Sequence, residues 1–254
     1  MTRMAAAAPD AARLDRSLVE RGFAASRERA QALIAAGLVE VDGVRARSAA
    51  QTVAAGQALR LTGRDHPWAS RGGLKLTAAL DVLDVDPRDR VALDAGASTG
   101  GFTDVLLQRG AVLVYAVDVG KGQLDPRLRG DPRVVVMDDT NIRYLAPPPG
   151  PPPTLVTLDL SFISLRLVLP VVARLVARPA DVVALVKPQF ELGRDAVGKG
   201  GIVRDSAAGE AAARDLLSWA ESGLEAVGTG PVPSSVRGAK GNREWFVRLR
   251  LEEH

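Results

Sequence analysis

Two lysines and two acids stand at positions where one sheet edge can gather them. Asp159 closes the apolar run of "LVTLDLS", Lys187 closes "DVVALVKP", Glu244 precedes "EWFVRLRLE", and Lys75 sits on the helix before the first such run. A lone lysine at a strand end usually snorkels or pairs with an acid. Two lysines and two carboxylates converging beside a ligand loop suit proton transfer and orientation of a reacting group.

The loop is "DAGASTGGFTD", Asp94 to Asp104. Gly96, Gly100 and Gly101 permit tight turning and close backbone approach by a ligand. Ala97, Ser98, Thr99 and Phe102 complete its candidate contact set. It lacks the G-x-G-x-x-G spacing of a dinucleotide site and the Gly-Lys-Ser/Thr of a P-loop, which disfavours a nicotinamide dehydrogenase. Asp94 ends the first strand, and Asp118 ends the second about 20 residues on, where an acid can accept from both hydroxyls of a ribose. Asp138 or Asp139 ends the third, within reach of an adenine amino group. Acids at successive strand ends repel a pyrophosphate and favour a neutral or cationic nucleoside. S-adenosylmethionine, with its ribose, adenine and sulfonium, fits best.

The elements that position these residues alternate. "VALDAG", "VLVYAVDVG", "RVVVMDD", "LVTLDLS" and "DVVALVKP" read as strands, and "FTDVLLQRG", "LRLVLPVVARLVA" and "AAGEAAARDLLSWAESG" as helices. This order predicts an α/β, Rossmann-like fold with a mostly parallel sheet and helices on both faces. Ser70 is the expected cap of a helix holding Leu74, Leu76, Ala79, Leu80 and Leu83. "APPPGPPP" is a stiff connector.

Before residue 64 the pattern differs. Leu14, Leu18 and Val19 have helical spacing up to Gly22; Ser26 caps a second helix with Ala30, Leu33 and Ile34, closed by Gly37. Asp42-Gly43 marks a hairpin turn, and Val53, Leu59 and Leu61 suggest short strands. Arg13, Arg16, Arg27, Arg29 and Arg45, with Arg71 beyond, are candidate RNA contacts, because guanidinium groups suit phosphates and bases.

The chain has no cysteine, which excludes disulfides and thiolate zinc sites and fits a reducing cytoplasm. Two histidines make a histidine-built metal centre improbable. No apolar run approaches the roughly 20 residues of a membrane span. Partners on this reading are RNA, with neither metal nor membrane.

"RLDRSLVERGFAASRERAQALIAAGLVEVDG" resembles the S4 RNA-binding domain, a small α+β unit. With "SRGGLKL", "LDAGASTGGFTD", "VDVGKGQL", "DLSFISL", "VKPQFE" and "GNREWF" following in order, the whole chain resembles the TlyA family. These are rRNA cytidine 2′-O-methyltransferases, historically also called haemolysins, whose catalytic part is similar to FtsJ-type RNA ribose methyltransferases. The resemblance implies a tail over 1–12, an S4-like domain over 13–62, a linker over 63–70 and an FtsJ-like domain over 71–254. It implies S-adenosylmethionine as methyl donor, ribosomal RNA in ribosomal subunits as partner and a cytoplasmic location. The family's Lys-Asp-Lys-Glu tetrad falls on Lys75, Asp159, Lys187 and Glu244. Lys187 is then the candidate base for a ribose 2′-hydroxyl, Lys75 its neighbouring cation, and the two acids orient them. Lys121 replaces an aromatic usual in the family, and "HPWA" and "DDTN" also depart from its pattern. The resemblance is to the shorter members, whose chains end soon after "EWFVRLRLEEH", which implies the large subunit as favoured substrate with the small subunit also open. A non-catalytic ribosome-binding or assembly factor is the alternative, disfavoured by the filled tetrad; membrane lysis is disfavoured by the lack of a spanning segment.

Overall fold

The computed structural model describes residues 11–24, 26–63, 66–193, 196–203, 205–238 and 241–253. Its contacts divide the chain into units 1–67 and 68–254.

In the first unit, β1 (Ala11–Arg13) leads into α1 (Leu14–Glu20), followed by α2 (Arg27–Ala35), β2 (Val39–Val41), β3 (Val44–Arg45), β4 (Thr52–Ala54) and β5 (Leu59–Leu61). Leu14, Leu18, Leu33, Ile34, Val39, Val41 and Val53 form its core. Ser26 accepts from the Arg29 N–H and caps α2. Asp42 and Gly43 both have positive φ, as the two central residues of a type I′ turn require. The expected tail over 1–12 needs correction at its end. Residues 1–10 lie outside those described, while Ala11 and Ala12 belong to β1 and pair with Ala54 and Val53. No sequence signal marked so short a strand.

The second unit begins with α3 (Gly72–Val82) and continues through β6 (Val91–Ala95), α4 (Gly101–Gln108), β7 (Leu113–Val117), α5 (Pro126–Arg129) and β8 (Val134–Met137). Then come β9 (Leu155–Leu158), α6 (Leu169–Leu175), β10 (Ala180–Val186), α7 (Pro188–Glu191), α8 (Ser206–Leu224), β11 (Ala226–Pro233) and β12 (Trp245–Leu251). The expected linker over 63–70 is thus split: Trp68, Ala69 and Ser70 group with this unit. Ser70 sits one place before the cap position of α3, and its Oγ accepts from the Gly72 N–H. "LRLVLPVVARLVA" is a 3-10 turn followed by α6, with Pro170 in the first helical turn, where its missing N–H costs nothing.

The strands form a seven-stranded sheet in the order β11-β12-β10-β9-β6-β7-β8. β10, β9, β6, β7 and β8 are parallel; β12 and β11 are antiparallel to their neighbours. β11 was not legible in its Gly- and Pro-rich sequence, and it lies at the edge, where proline is tolerated. Side chains alternate between two cores. Val182, Ala184 and Val186 join α6 and α8 residues on one face, and Val183 and Leu185 join α3 and α4 residues on the other. Burial on both faces is why β10 reads as an unbroken apolar run.

The chain order reverses between β6 and β9. Strands β7 and β8 extend the sheet one way, and β9 and β10 the other. The crevice at the carboxyl ends of β6 and β9 is therefore the fold's natural ligand site.

Candidate active site

The four tetrad candidates meet at this crevice as two ion pairs. Lys75, on α3, donates from Nζ to Glu244 Oε2 at 2.6 Å, and both side chains are almost buried. Lys187, the residue after β10, places Nζ 2.6 Å from Asp159 Oδ1, a charge contact whose angles are not those of a hydrogen bond. Its Nζ also donates to Ser161 Oγ at 3.1 Å. Each lysine has its own carboxylate, so the expected cation beside Lys187 is matched by Glu244.

Local sequence sets these positions. Pro188 favours an extended residue before it and starts α7, so the chain leaves the sheet directly after Lys187. Ser70 and Gly73 on the α3 side pack so tightly on Gly101 that a Cβ there would stand 3.0 Å from the Gly73 nitrogen. The start of α3, and with it Lys75, is thereby held against the start of α4. Glu244 is held from the other side by Gly238, whose missing side chain leaves room for the carboxylate.

Gly96 has φ +84, and a Cβ on it would lie 2.5 Å from the Asp159 carbonyl oxygen. The loop therefore passes directly over the end of β9. Two cavities open around this crossing, and both are lined by Gly96, Ser98 and Asp159. The larger, about 710 Å³, runs past Asp118, Gln123, Thr140, Asn141, Ile142 and Leu160. The smaller, about 310 Å³, is lined by Lys75, Arg71, Ala97, Thr99, Gly101, Phe102 and Arg237 among others. The volume of the larger suits a nucleoside-sized ligand. Its donor set suits S-adenosylmethionine: the Asp118 carboxylate for ribose hydroxyls, amide and hydroxyl groups with aliphatic walls for a base, and Asp159 where the two cavities meet. Asp118 already accepts from the Ser98 and Gly120 N–H groups at 2.8 and 2.7 Å, which fixes it at the loop.

Three candidates for cofactor contact do not face the crevice. Asp94 is fully buried beneath the loop, where Thr103 and Thr157 donate to its two oxygens at 2.7 and 2.9 Å. Burial pushes its carboxyl up to about 6, against the two hydroxyl bonds and with help from the nearby Asp159 charge. Gly100 turns toward Leu124 and Leu128. Asp138 is bonded to Arg129 at 2.8 Å and to the Gly122 N–H at 3.0 Å, which together hold its carboxyl below the usual range. Thr140, Asn141 and Ile142 line the larger cavity where Asp138 does not, and they follow the third strand directly in "DDTNI".

The arginines of the first unit divide in the same way. Arg13 at 3.1 Å and Arg27 at 3.0 Å both bind Asp15, whose carboxylate is buried. Arg13 and Gln31, with Arg27 and against burial, keep that carboxyl well below the usual range. Arg16 pairs with Glu20 on the helix surface. The guanidinium of Arg45 lies where a Gly37 side chain would be. Arg13 and Arg27 therefore brace the unit while keeping half or more of their side-chain surface exposed.

Sequence comparison identifies both parts of the chain. The family described as FtsJ-like methyltransferase matches residues 68–251, and the S4 domain matches residues 12–59. The chain is 48% identical over 247 residues to the protein of Mycobacterium tuberculosis named "16S/23S rRNA (cytidine-2'-O)-methyltransferase TlyA", covering 95% of this chain and 90% of that one.

The chain belongs to the TlyA family.

It is a methyltransferase with an FtsJ-like domain and an S4 domain. The TlyA-family resemblance extends to "Hemolysin A" of Brachyspira hyodysenteriae, 37% identical over 93% of this chain and 99% of that one. A solved structure, "Putative hemolysin from Streptococcus thermophilus", superposes with a TM-score of 0.75 at 40% identity, over 97% of this chain and 90% of that one. Among the described residues no helix is long and apolar enough to cross a membrane, and no cluster of three or more His, Asp or Glu could hold a metal.

Proposed function

We propose that this chain transfers a methyl group from S-adenosylmethionine to the 2′-hydroxyl of a cytidine in ribosomal RNA, with Lys187 as the base. The observation that carries this reading is the pairing of Lys187 with Asp159 at the point where both cavities meet. One cavity then serves the cofactor and the other the acceptor.

Asp118 would hold the cofactor's ribose, with Thr140, Asn141, Ile142 and Leu160 around its adenine. The bound cofactor supplies an electrophilic methyl carbon. A ribose hydroxyl is a weak nucleophile at neutral pH, so a base within reach of its proton accelerates attack. The hydroxyl oxygen would bond to the methyl carbon as the carbon–sulfur bond of the donor breaks, and its proton would pass to the unprotonated amine of Lys187. Asp159 fixes that amine, and Ser161 offers a hydroxyl beside it. Lys75 and Glu244 form a rigid second wall that holds the acceptor ribose in line. Most of the rate gain comes from this positioning.

The relative from Mycobacterium tuberculosis is named for both 16S and 23S rRNA. Both subunits are therefore candidates, and the large one is placed first. The test is transfer of a labelled methyl group to separated ribosomal subunits, with the modified ribose mapped by nuclease digestion. Label on a cytidine 2′-oxygen, lost in Lys187→Ala while cofactor still binds, is the expected result. Full activity of Lys187→Ala would remove Lys187 as base, and the absence of label on either subunit would overturn the substrate assignment.

A further inference from the structure

We infer that Arg237 and Arg243, with Arg71, form a phosphate-binding rim that seats the RNA strand over the Lys75–Glu244 pair. The inference rests on the ribose-methylation reading and adds residues that the tetrad does not contain.

The rim is continuous. Arg71 and Arg237 line the smaller cavity beside Lys75, and Arg237 also lines a third cavity of about 250 Å³, together with Arg243. An acceptor ribose within an RNA strand carries a phosphate on each side. Two cationic pockets joined at one arginine match that arrangement.

The guanidinium groups are available. Several arginines of the unit are committed to carboxylates: Arg90 and Arg248 to Asp181, Arg129 to Asp138, Arg133 to Asp131. The guanidinium groups of Arg71 and Arg243 have no ion-pair or hydrogen-bond partner among the described residues, and that of Arg237 has only the Gly241 carbonyl, at 3.1 Å. The carboxylates facing the same cavities are already engaged. Asp159 holds Lys187, and Asp205 accepts from the Ala207 N–H at 2.8 Å at the start of α8. The surplus charge at this mouth is positive, which draws phosphodiester oxygens.

The rim is also registered to the chemistry. Asn242, buried between Arg237 and Arg243 in sequence, accepts from the Val203 N–H at 3.1 Å and donates to the Gly201 carbonyl at 2.8 Å. The Gly238 N–H donates to the Asn242 carbonyl at 2.9 Å, and Gly238 packs on the Glu244 carboxylate. Both arginines are thus anchored close to Glu244, the residue that holds Lys75: Arg243 directly precedes it, and Arg237 precedes the glycine packed on its carboxylate. A phosphate seated on them has a defined distance to the tetrad.

The test uses the full chain with Arg237→Ala, Arg243→Ala, the double variant, and the charge-keeping Arg237→Lys/Arg243→Lys. Affinity for purified large ribosomal subunits is measured against salt, with cofactor affinity and methyl-transfer kinetics in parallel. Each lost phosphate contact removes about 0.7–0.9 from the slope of log K against log salt. The double alanine variant should lose about twice that and raise KM for subunits about tenfold or more, with kcat and cofactor affinity nearly unchanged. The lysine pair should keep the slope, which a merely structural role would not require. An unchanged slope and KM would overturn the rim. Weakened cofactor binding with an unchanged slope would also overturn it, assigning the arginines to the cofactor's carboxylate. If the wild-type chain transfers no methyl group yet binds RNA through these arginines, the rim stands and the ribose-methylation reading falls.

Discussion

Lys75 and Glu244 are joined by a 2.6 Å hydrogen bond across 169 positions of sequence. The pair ties α3, which precedes the sheet, to the last strand of the sheet. It is nearly dry, and a buried pair that loses one member leaves an uncompensated charge, at a cost of about 3–5 kcal/mol. Glu244→Ala should therefore lower the unfolding temperature markedly. Lys75→Met/Glu244→Gln should recover much of that stability without recovering methyl transfer. Thermal unfolding and activity measured on the same samples separate the two roles. Recovered activity in the double variant would show that the pair serves the fold alone.

Asp118 and Asp138 end neighbouring strands but differ in what they face. Asp118→Ala should weaken cofactor binding by about tenfold, the loss of one or two charge-assisted hydrogen bonds. Asp138→Ala should change it by less than about threefold, since that carboxylate is bound to Arg129 and Gly122. Calorimetric titration with S-adenosylmethionine or its demethylated product decides the order. Equal losses in the two variants would return Asp138 to the cofactor site.

Asp94 makes stability depend on pH in an unusual direction. An ordinary aspartate has a value of 3.8, and Asp94 in the folded chain is raised to about 6. Between those values the folded chain keeps a proton that the unfolded chain has released. Stability from this group is therefore fully present below about pH 4 and falls as pH rises to about 6. Above that the buried carboxylate costs about 3 kcal/mol at most. Asparagine can accept from one threonine hydroxyl and donate to the other. Asp94→Asn should therefore melt higher than the wild type near pH 8, with the difference shrinking toward about pH 4. A constant difference across that range would show that Asp94 is not the titrating group.

Removing residues 1–62 should weaken binding to ribosomal subunits and leave cofactor affinity unchanged. Wild-type binding should weaken steeply with salt, and the truncated chain less so, because the arginines of the first unit are lost. Equal subunit affinity in the truncated chain would show that the S4 domain does not target the enzyme.

The sequence by itself determined the alternation of strands and helices that builds the parallel sheet and the candidates for the site. Period-two and helical spacing, the Asp42-Gly43 turn and the Ser26 cap are local signals, because turn and cap geometry involve only neighbouring residues. The fully buried strands were legible because both faces of β10 must be apolar. Asp159, Lys187 and Glu244 stood out as charged residues at the ends of such runs, and Lys75, on the helix before them, joined them through the family's Lys-Asp-Lys-Glu order. Only the tertiary structure decided which acid meets which lysine, since pairing depends on how α3 and β12 pack at the sheet edge. It alone turned Asp94 under the loop and Asp138 toward Arg129, although sequence placed both at strand ends beside Asp118. A strand end fixes where a residue sits to within one position; the direction of its side chain depends on neighbours that come from distant parts of the chain. Sequence offered Arg71 as an RNA contact but not Arg237 or Arg243, because what groups the three is the pair of adjoining cavities that the fold opens beside Lys75.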